Sequence, residues 1–297
     1  LGEIALEAGL PPGVLTILNG TGAKIGDAIV KHPKIKAISF TGGTATGEHI
    51  ARTAAPMFKK LSLELGGKNP TIIFDDCDFD TALKTTIMSS FSNQGQICLC
   101  GSRIFVQRGI YSKFRDAFVA KVSTSVVSFP ENPRANLGAI VSESHLNKVL
   151  GYIALAKSEG GKLLTGGNRV FLPAPHDKGF YLEPTIFESL PYDCKTNQEE
   201  IFGPVVTIMP FDTEEEVLMM ANDTKYGLAS SVWTMDVKKA HRVADQLNMG
   251  IVWVNAWLVR DLRTPFGGMK ASGVGREGGL EALRFFTEPK NIFIKYE

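Results

Sequence analysis

Residues 91–100, FSNQGQICLC, place two of the chain's four cysteines one residue apart. A thiol becomes a nucleophile when its thiolate is stabilised by a nearby cation, a helix start or hydrogen-bond donors, and the turn around Gly95 offers backbone amides to Cys98 and Cys100 alike. An extended chain sends residues two apart to one face, but a glycine-flanked turn follows no such period, so spacing does not choose between the thiols. A disulfide across one residue needs strained geometry, and a lone CxC lacks the further ligands of a metal site. The competing reading is two small buried residues, because free cysteine is commonly buried. With Cys77 and Cys194 too irregularly placed for a disulfide framework, all four read as free thiols and no metal is expected.

Three other groups could take part in chemistry. Glu64 lies in the otherwise apolar run LSLELGG at the end of a predicted strand, where open α/β sheets bind ligands. Desolvation there would raise its pKa toward that of a general base, and the alternative is a buried carboxylate paired with Lys68. NGTGAKIG (Gly20, Gly22, Gly26) and FTGGTATG (Gly42, Gly43, Gly47) each follow a strand-like run and could aim helix N-terminal amides at a phosphate. Either could equally be a structural turn. Finally, NAWLVRDLRTPFGG carries Arg260 and Arg263, which could grip a substrate carboxylate or simply pair with Asp261 at the surface.

The elements that must position these groups alternate. A helix reaches Gly9, GVLTILNG reads as a buried strand, and GTGAKIGDAIVKH as a helix. IKAISF, KKLSLELGG, PTIIF, SRIFVQ, VVTIMPF, LASSVWTM and GIVWVN read as strands, interleaved with helices at about 78–92, 110–127 and 142–159 and over TEEEVLMMANDT and VKKAHRVADQLN. NIFIKY reads as a last strand, an edge in need of a partner. The expected class is α/β, a parallel sheet covered by helices and joined by right-handed crossovers. A boundary falls at ELGGKNP. With 44% hydrophobic and 21% charged residues and a net charge of +1, the chain is neither a disordered tail nor a basic nucleic-acid binder. It has no signal or membrane-spanning segment, so a soluble cytoplasmic protein with a small-molecule partner is expected.

LELGGKNP, FSNQGQICLCGSR, EEIFGPV, VWVN and PFGGMKASGVGREGG, in this order, resemble the aldehyde dehydrogenase superfamily along the whole chain. The resemblance implies a Rossmann-type parallel sheet plus an α/β catalytic domain. It makes Cys98, in the N-x-G-Q-x-C frame, the nucleophile and Glu64 the general base, with Cys100 where the family usually has a small residue. NAD, with NADP left open, would be held by Gly42, Gly43, Gly47, Leu65, Glu200 and Phe202, Gly43 standing where the family often has Ser. Arg260, Arg263, Asn255 and Phe266 would face the substrate, and Arg276 and Glu277 would form a structural pair. The loop around Arg260 is similar to that of the muconic semialdehyde branch, implying an acidic semialdehyde as substrate.

By the same resemblance, residues 1–66 are the second half of a dinucleotide domain, 67–268 a catalytic domain, and 269–297 a return with an oligomerisation strand. The chain opens without Met, so it reads as a fragment lacking an N-terminal portion that would carry the oxyanion-hole Asn, and a homo-oligomer is expected at full length. The rival readings are a Cys98 hydrolase with His145 or His176 as base, needing no dinucleotide, and a non-catalytic relative.

Overall fold

The computed structural model describes residues 1–297. The two main sheets divide at the GGK turn that follows Glu64, with two further two-stranded ribbons beside them. Before it, Ala37–Thr41 and Lys60–Glu64 pair in parallel with Thr41 opposite Glu64, and the late strand Gly273–Val274 returns to add antiparallel to Lys60–Glu64. After it, seven strands form one sheet in the order Ile251–Val254, Ala229–Trp233, Asn69–Ile73, Gly101–Gln107, Val205–Phe211, Thr185–Glu188, Lys162–Thr165. Every pair in that sheet is parallel except the last.

A central parallel strand is buried on both faces, and its apolar residues alternate between two cores. Ile73, Ile104, Val106 and Ile208 pack with Phe91 of helix Phe79–Phe91 and Phe114 and Phe118 of helix Arg108–Val122. Ile72, Phe74, Phe105 and Phe211 pack instead with Val217 of helix Glu214–Asn222 and Val243 of helix Val237–Gln246. Asp78, Ser142, Thr213 and Asp236 each accept a backbone N–H at the start of a helix, so four helices begin where a capping residue stands in the sequence.

Two expected strands are absent. Residues 13–20 are non-regular, with Val14, Leu15, Ile17 and Leu18 exposed, and residues 288–297 contain no strand although Ile292, Phe293 and Ile294 are apolar. A strand exists only against a hydrogen-bonding neighbour, and the small sheet ends at Ala37–Thr41 on one side and Gly273–Val274 on the other. Apolar character made both segments look like strands, but within this chain neither has a neighbour. No helix is long and apolar enough to cross a membrane.

Candidate active site

Glu64 is the last residue of Lys60–Glu64 and is 5% exposed, and neither of its carboxylate oxygens has a hydrogen-bond partner. The backbone behind it comes close, since a Cβ on Gly267 would lie 2.9 Å from Glu64 Oε1. Burial, and after it the Glu277 carboxylate, pushes the Glu64 carboxyl up to about 7, while Arg276 and Arg260 pull it down. The expected alternative, an ion pair with Lys68, does not form. The Lys68 side chain is buried, and desolvation and Arg103 bring its pKa down to about 7 against the pull of Glu200.

Cys98 follows a tight turn that leaves the end of helix Phe79–Phe91. After Phe79–Phe91 the chain takes three successive left-handed residues, Asn93 (φ 49°), Gln94 (φ 57°) and Gly95 (φ 69°). Cys98 is half-buried and lines a small pocket with Gly95, Cys100, Glu200 and Phe202. Burial raises its thiol pKa, and Glu200 and Glu64 add to the rise, while the backbone N–H groups of Cys98 and Leu99 oppose it. The stabilising groups are therefore amides, with neither a helix start nor a cation among them. Cys100 is deeper, with its Sγ 3.9 Å from the Ser92 carbonyl, and burial pushes its thiol up to about 12. The structure thus separates two thiols that spacing left equivalent.

Glu200 faces the same pocket. Its Oε1 accepts from the Gly67 backbone N–H at 3.0 Å, and a Cβ on Gly66 would lie 2.5 Å from its Oε2, so the carboxylate fits only against a glycine at position 66. Burial raises its pKa. Phe202 is left-handed (φ 60°), and its carbonyl accepts from His145 Nε2 at 2.6 Å. That bond occupies His145, and His176 stacks on Phe129 with ring centroids 4.0 Å apart, so neither histidine is presented to Cys98 as a base.

The other expected residues divide. Arg260 lies 4.1 Å over the Phe266 ring, and Phe266 packs with Cys98 against the cluster of Leu99, Trp253 and Trp257. Arg263 is tied to Asp261 at 2.6 Å, the surface pairing that the sequence allowed. Asn255 donates to Thr234 O at 2.9 Å and accepts from Thr234 N at 3.1 Å, pinning a left-handed residue at the strand end. Arg276 and Glu277 form no ion pair. Arg276 donates to the Gly268 and Gly275 carbonyls, and the Glu277 backbone pairs with Phe266.

A dinucleotide fits the small-sheet side. A groove of about 750 Å³ opens between helices Asp27–Lys31 and Thr44–Ala54, lined by Gly22, Gly26, Phe40, Thr46 and His49. Helix Thr44–Ala54 starts from Gly43 with no side-chain cap, and the Thr44 hydroxyl at its first turn is buried without a partner. Unpaired amides and an orphaned hydroxyl at a helix start are what a phosphate group satisfies. Gly47 lets that helix close on Leu65, since a Cβ there would lie 2.4 Å from the leucine side chain. Thr44 carried no signal in the sequence beyond its place in the glycine turn.

The aldehyde dehydrogenase family profile matches residues 1–292. The chain belongs to the aldehyde dehydrogenase family. It is 50% identical over 98% of its length to the 2-aminomuconic semialdehyde dehydrogenase of Mus musculus, covering 60% of that protein. To the 2-hydroxymuconic semialdehyde dehydrogenase of Pseudomonas sp. strain CF600 it is 46% identical over 99% of its length, covering 61% of that protein. An aldehyde dehydrogenase of Bacillus cereus, solved in complex with NAD+, superposes with a TM-score of 0.95 at 40% identity, over 99% of this chain and 59% of that one. The chain therefore spans about three fifths of the length of the curated relatives it matches. Its α/β fold, with a largely parallel sheet, is that of the aldehyde dehydrogenases.

Proposed function

We propose that the protein oxidises an acidic semialdehyde of the muconic type to the carboxylate with NAD, through a thioester on Cys98. The observation that carries this reading is the buried, unpartnered Glu64 carboxylate within electrostatic reach of the Cys98 thiol. The Cys98 thiolate adds to the aldehyde carbon, and the Cys98 and Leu99 amides offset the cost of the buried negative charge. Bound nicotinamide would supply the acceptor for the hydride of that carbon. Thr44 and the amides after Gly43 would hold the pyrophosphate, and Glu200, fixed by Gly67, would hold the ribose beside Phe202. Glu64 then takes a proton from water as it attacks the thioester, which releases the acid and restores the thiol. Its raised pKa suits it to accept that proton near neutral pH.

The acidic substrate follows from Arg260. Its guanidinium, stacked on Phe266 at the edge of the apolar cluster that includes Cys98, is the cation placed to take a remote carboxylate, Arg263 being tied to Asp261. Residues 1–66 would serve as the dinucleotide side, 67–268 as the catalytic domain and 269–297 as the return, and the working protein would be a homo-oligomer. The test is formation of reduced nicotinamide with a muconic-type semialdehyde and with a neutral aldehyde. Arg260→Ala is expected to raise KM for the acidic substrate by about tenfold or more, the loss of a charge-assisted hydrogen bond worth roughly 1.5–3 kcal/mol, with little change for the neutral one. Equal effects on both would refute the anchor, and turnover without reduced nicotinamide would refute the oxidation.

A further inference from the structure

Three consecutive carbonyls of the nucleophile turn are held by side chains from distant elements. Asn69, 3% exposed at the start of Asn69–Ile73, donates through Nδ2 to the Cys98 carbonyl at 2.7 Å and to the Cys100 carbonyl at 2.9 Å. Its Oδ1 accepts from Ala229 N at 3.1 Å, so both ends of the amide are committed and its orientation is fixed. Between the two, the Leu99 carbonyl accepts from Trp257 Nε1 at 2.9 Å. Gly67 leaves room for this arrangement, since a Cβ there would lie 2.8 Å from both the Cys98 carbonyl and Asn69 Oδ1.

The peptide unit is planar and trans, so its C=O and the following N–H point in opposite directions. Fixing the Cys98 carbonyl on Asn69 therefore fixes the Leu99 N–H on the opposite side of the peptide, and that group, with the Cys98 N–H, opposes the burial-driven rise of the Cys98 thiol. The next peptide unit, held by Trp257, carries the Cys100 N–H, and that group donates to Ile97 O at 3.0 Å instead of to the thiol. The two clamps are thus alike in structure and unlike in effect. We propose that Asn69 is a positioning residue whose amide, by holding the Cys98 carbonyl, aims the Leu99 N–H at the nucleophilic sulfur and stabilises its thiolate. This rests on the assignment of Cys98 as nucleophile. The charged and titratable groups that face Cys98 are Glu200 from the loop before Val205–Phe211, Glu64 from the end of Lys60–Glu64, and Cys100 from its own turn. None is a cation, so the amides are the thiolate's support and loss of one registers directly.

The experiment follows the rate of Cys98 alkylation by iodoacetamide against pH, in a Cys100→Ala background, with peptide mass spectrometry assigning the label. Asn69→Ala is expected to move the midpoint up by about one pH unit and to lower the rate tenfold below it. Trp257→Phe removes the 2.9 Å bond to the adjacent peptide and is expected to lower Tm while leaving the midpoint in place. Should Asn69→Ala not fold, Asn69→Ser carries the same expectation at smaller size, because one hydroxyl donates a single hydrogen bond. A midpoint unmoved by loss of the Asn69 amide, or moved equally by Trp257→Phe, overturns the clamp. A wild-type Cys98 no more reactive than Cys77 or Cys194 overturns the nucleophile assignment and the clamp with it.

Discussion

Glu64 illustrates how a functional group is stored at a cost to the fold. An isolated carboxylate inside a protein is strongly disfavoured, and this one has no hydrogen-bond partner. Its pKa rises from an ordinary 4.5 to about 7, and the unfolded chain has no reason to share that rise. Between those values the folded state holds a proton the unfolded state has lost, so stability falls as pH climbs from 4.5 to 7 and stays low above it. The penalty at pH 8 is on the order of 3 kcal/mol. Glu64→Gln is therefore expected to raise Tm at pH 8 and leave it nearly unchanged at pH 4.5, while slowing thioester hydrolysis by about a hundredfold or more. A thermal scan at the two pH values and a burst assay for accumulated thioester check the two halves, and an equal Tm change at both pH values would refute the linkage. Glu64 stands out in the sequence because it interrupts an apolar run, whereas Cys98 is told from Cys100 only by the N-x-G-Q-x-C frame of the family. Asn69 and Thr44 gave no such signal. Asn69 acts on carbonyls some 30 positions away in the chain, and the Thr44 hydroxyl is notable only for lacking a partner, which no sequence displays.

At the scale of elements, the nucleophile turn depends on backbone approaching backbone. Gly95 is left-handed at φ 69°, and a Cβ on it would lie 2.2 Å from the Gly203 carbonyl, in the loop that also carries Glu200 and Phe202. Backbone cannot rotate aside as a side chain can, so Gly95→Ala must part the two loops. A loss of about 3 kcal/mol or more is expected, together with weaker dinucleotide binding through the displaced Glu200. Gly43 is the contrasting case: its backbone is extended at φ −69°, nothing lies within 4 Å of its missing Cβ, and it sits at the N-cap of Thr44–Ala54. Gly43→Ser is expected to leave stability unchanged or raise it by a few tenths of a kcal/mol. Calorimetry of the two variants checks the pair, and similar Tm values for both would contradict the backbone contact. Alternation of apolar runs with capped helices made most elements readable, because sheet strands and amphipathic helices carry their partners' imprint in their own periodicity. The left-handed run Asn93–Gln94–Gly95 was readable only at Gly95, since nothing in the types of Asn93 and Gln94 demands it.

Across the whole molecule, the candidate site lies on the seam between two sheets. Glu64 ends a strand of the small sheet, whereas Asn69 begins a strand of the large one and Cys98 and Glu200 precede strands of it. The seam is closed by the late segment, whose strand Gly273–Val274 pairs with Lys60–Glu64 and whose Gly267 backs Glu64. Past helix Gly279–Phe286 that segment leaves the body of the chain, tethered by Lys60, whose ammonium donates to the Phe285 and Thr287 carbonyls and pairs with Glu288. Beyond the tether Ile292, Phe293, Ile294 and Tyr296 are 67%, 89%, 67% and 82% exposed, a β-prone run with its backbone unpaired. Such a run is stable in water only against another sheet edge, and a second copy of the chain would supply one. In a strand Ile292, Ile294 and Tyr296 would share one face, so lysines at the first two would put charge on the buried side without altering the rest of the molecule. For the homo-oligomer proposed above, Ile292→Lys combined with Ile294→Lys is expected to give a smaller species with a lower Tm, since a partner that binds only the folded chain stabilises it. Sedimentation velocity over a tenfold range of concentration reads the mass directly. An unchanged mass in the double variant would mean that the terminal segment does not hold the copies together.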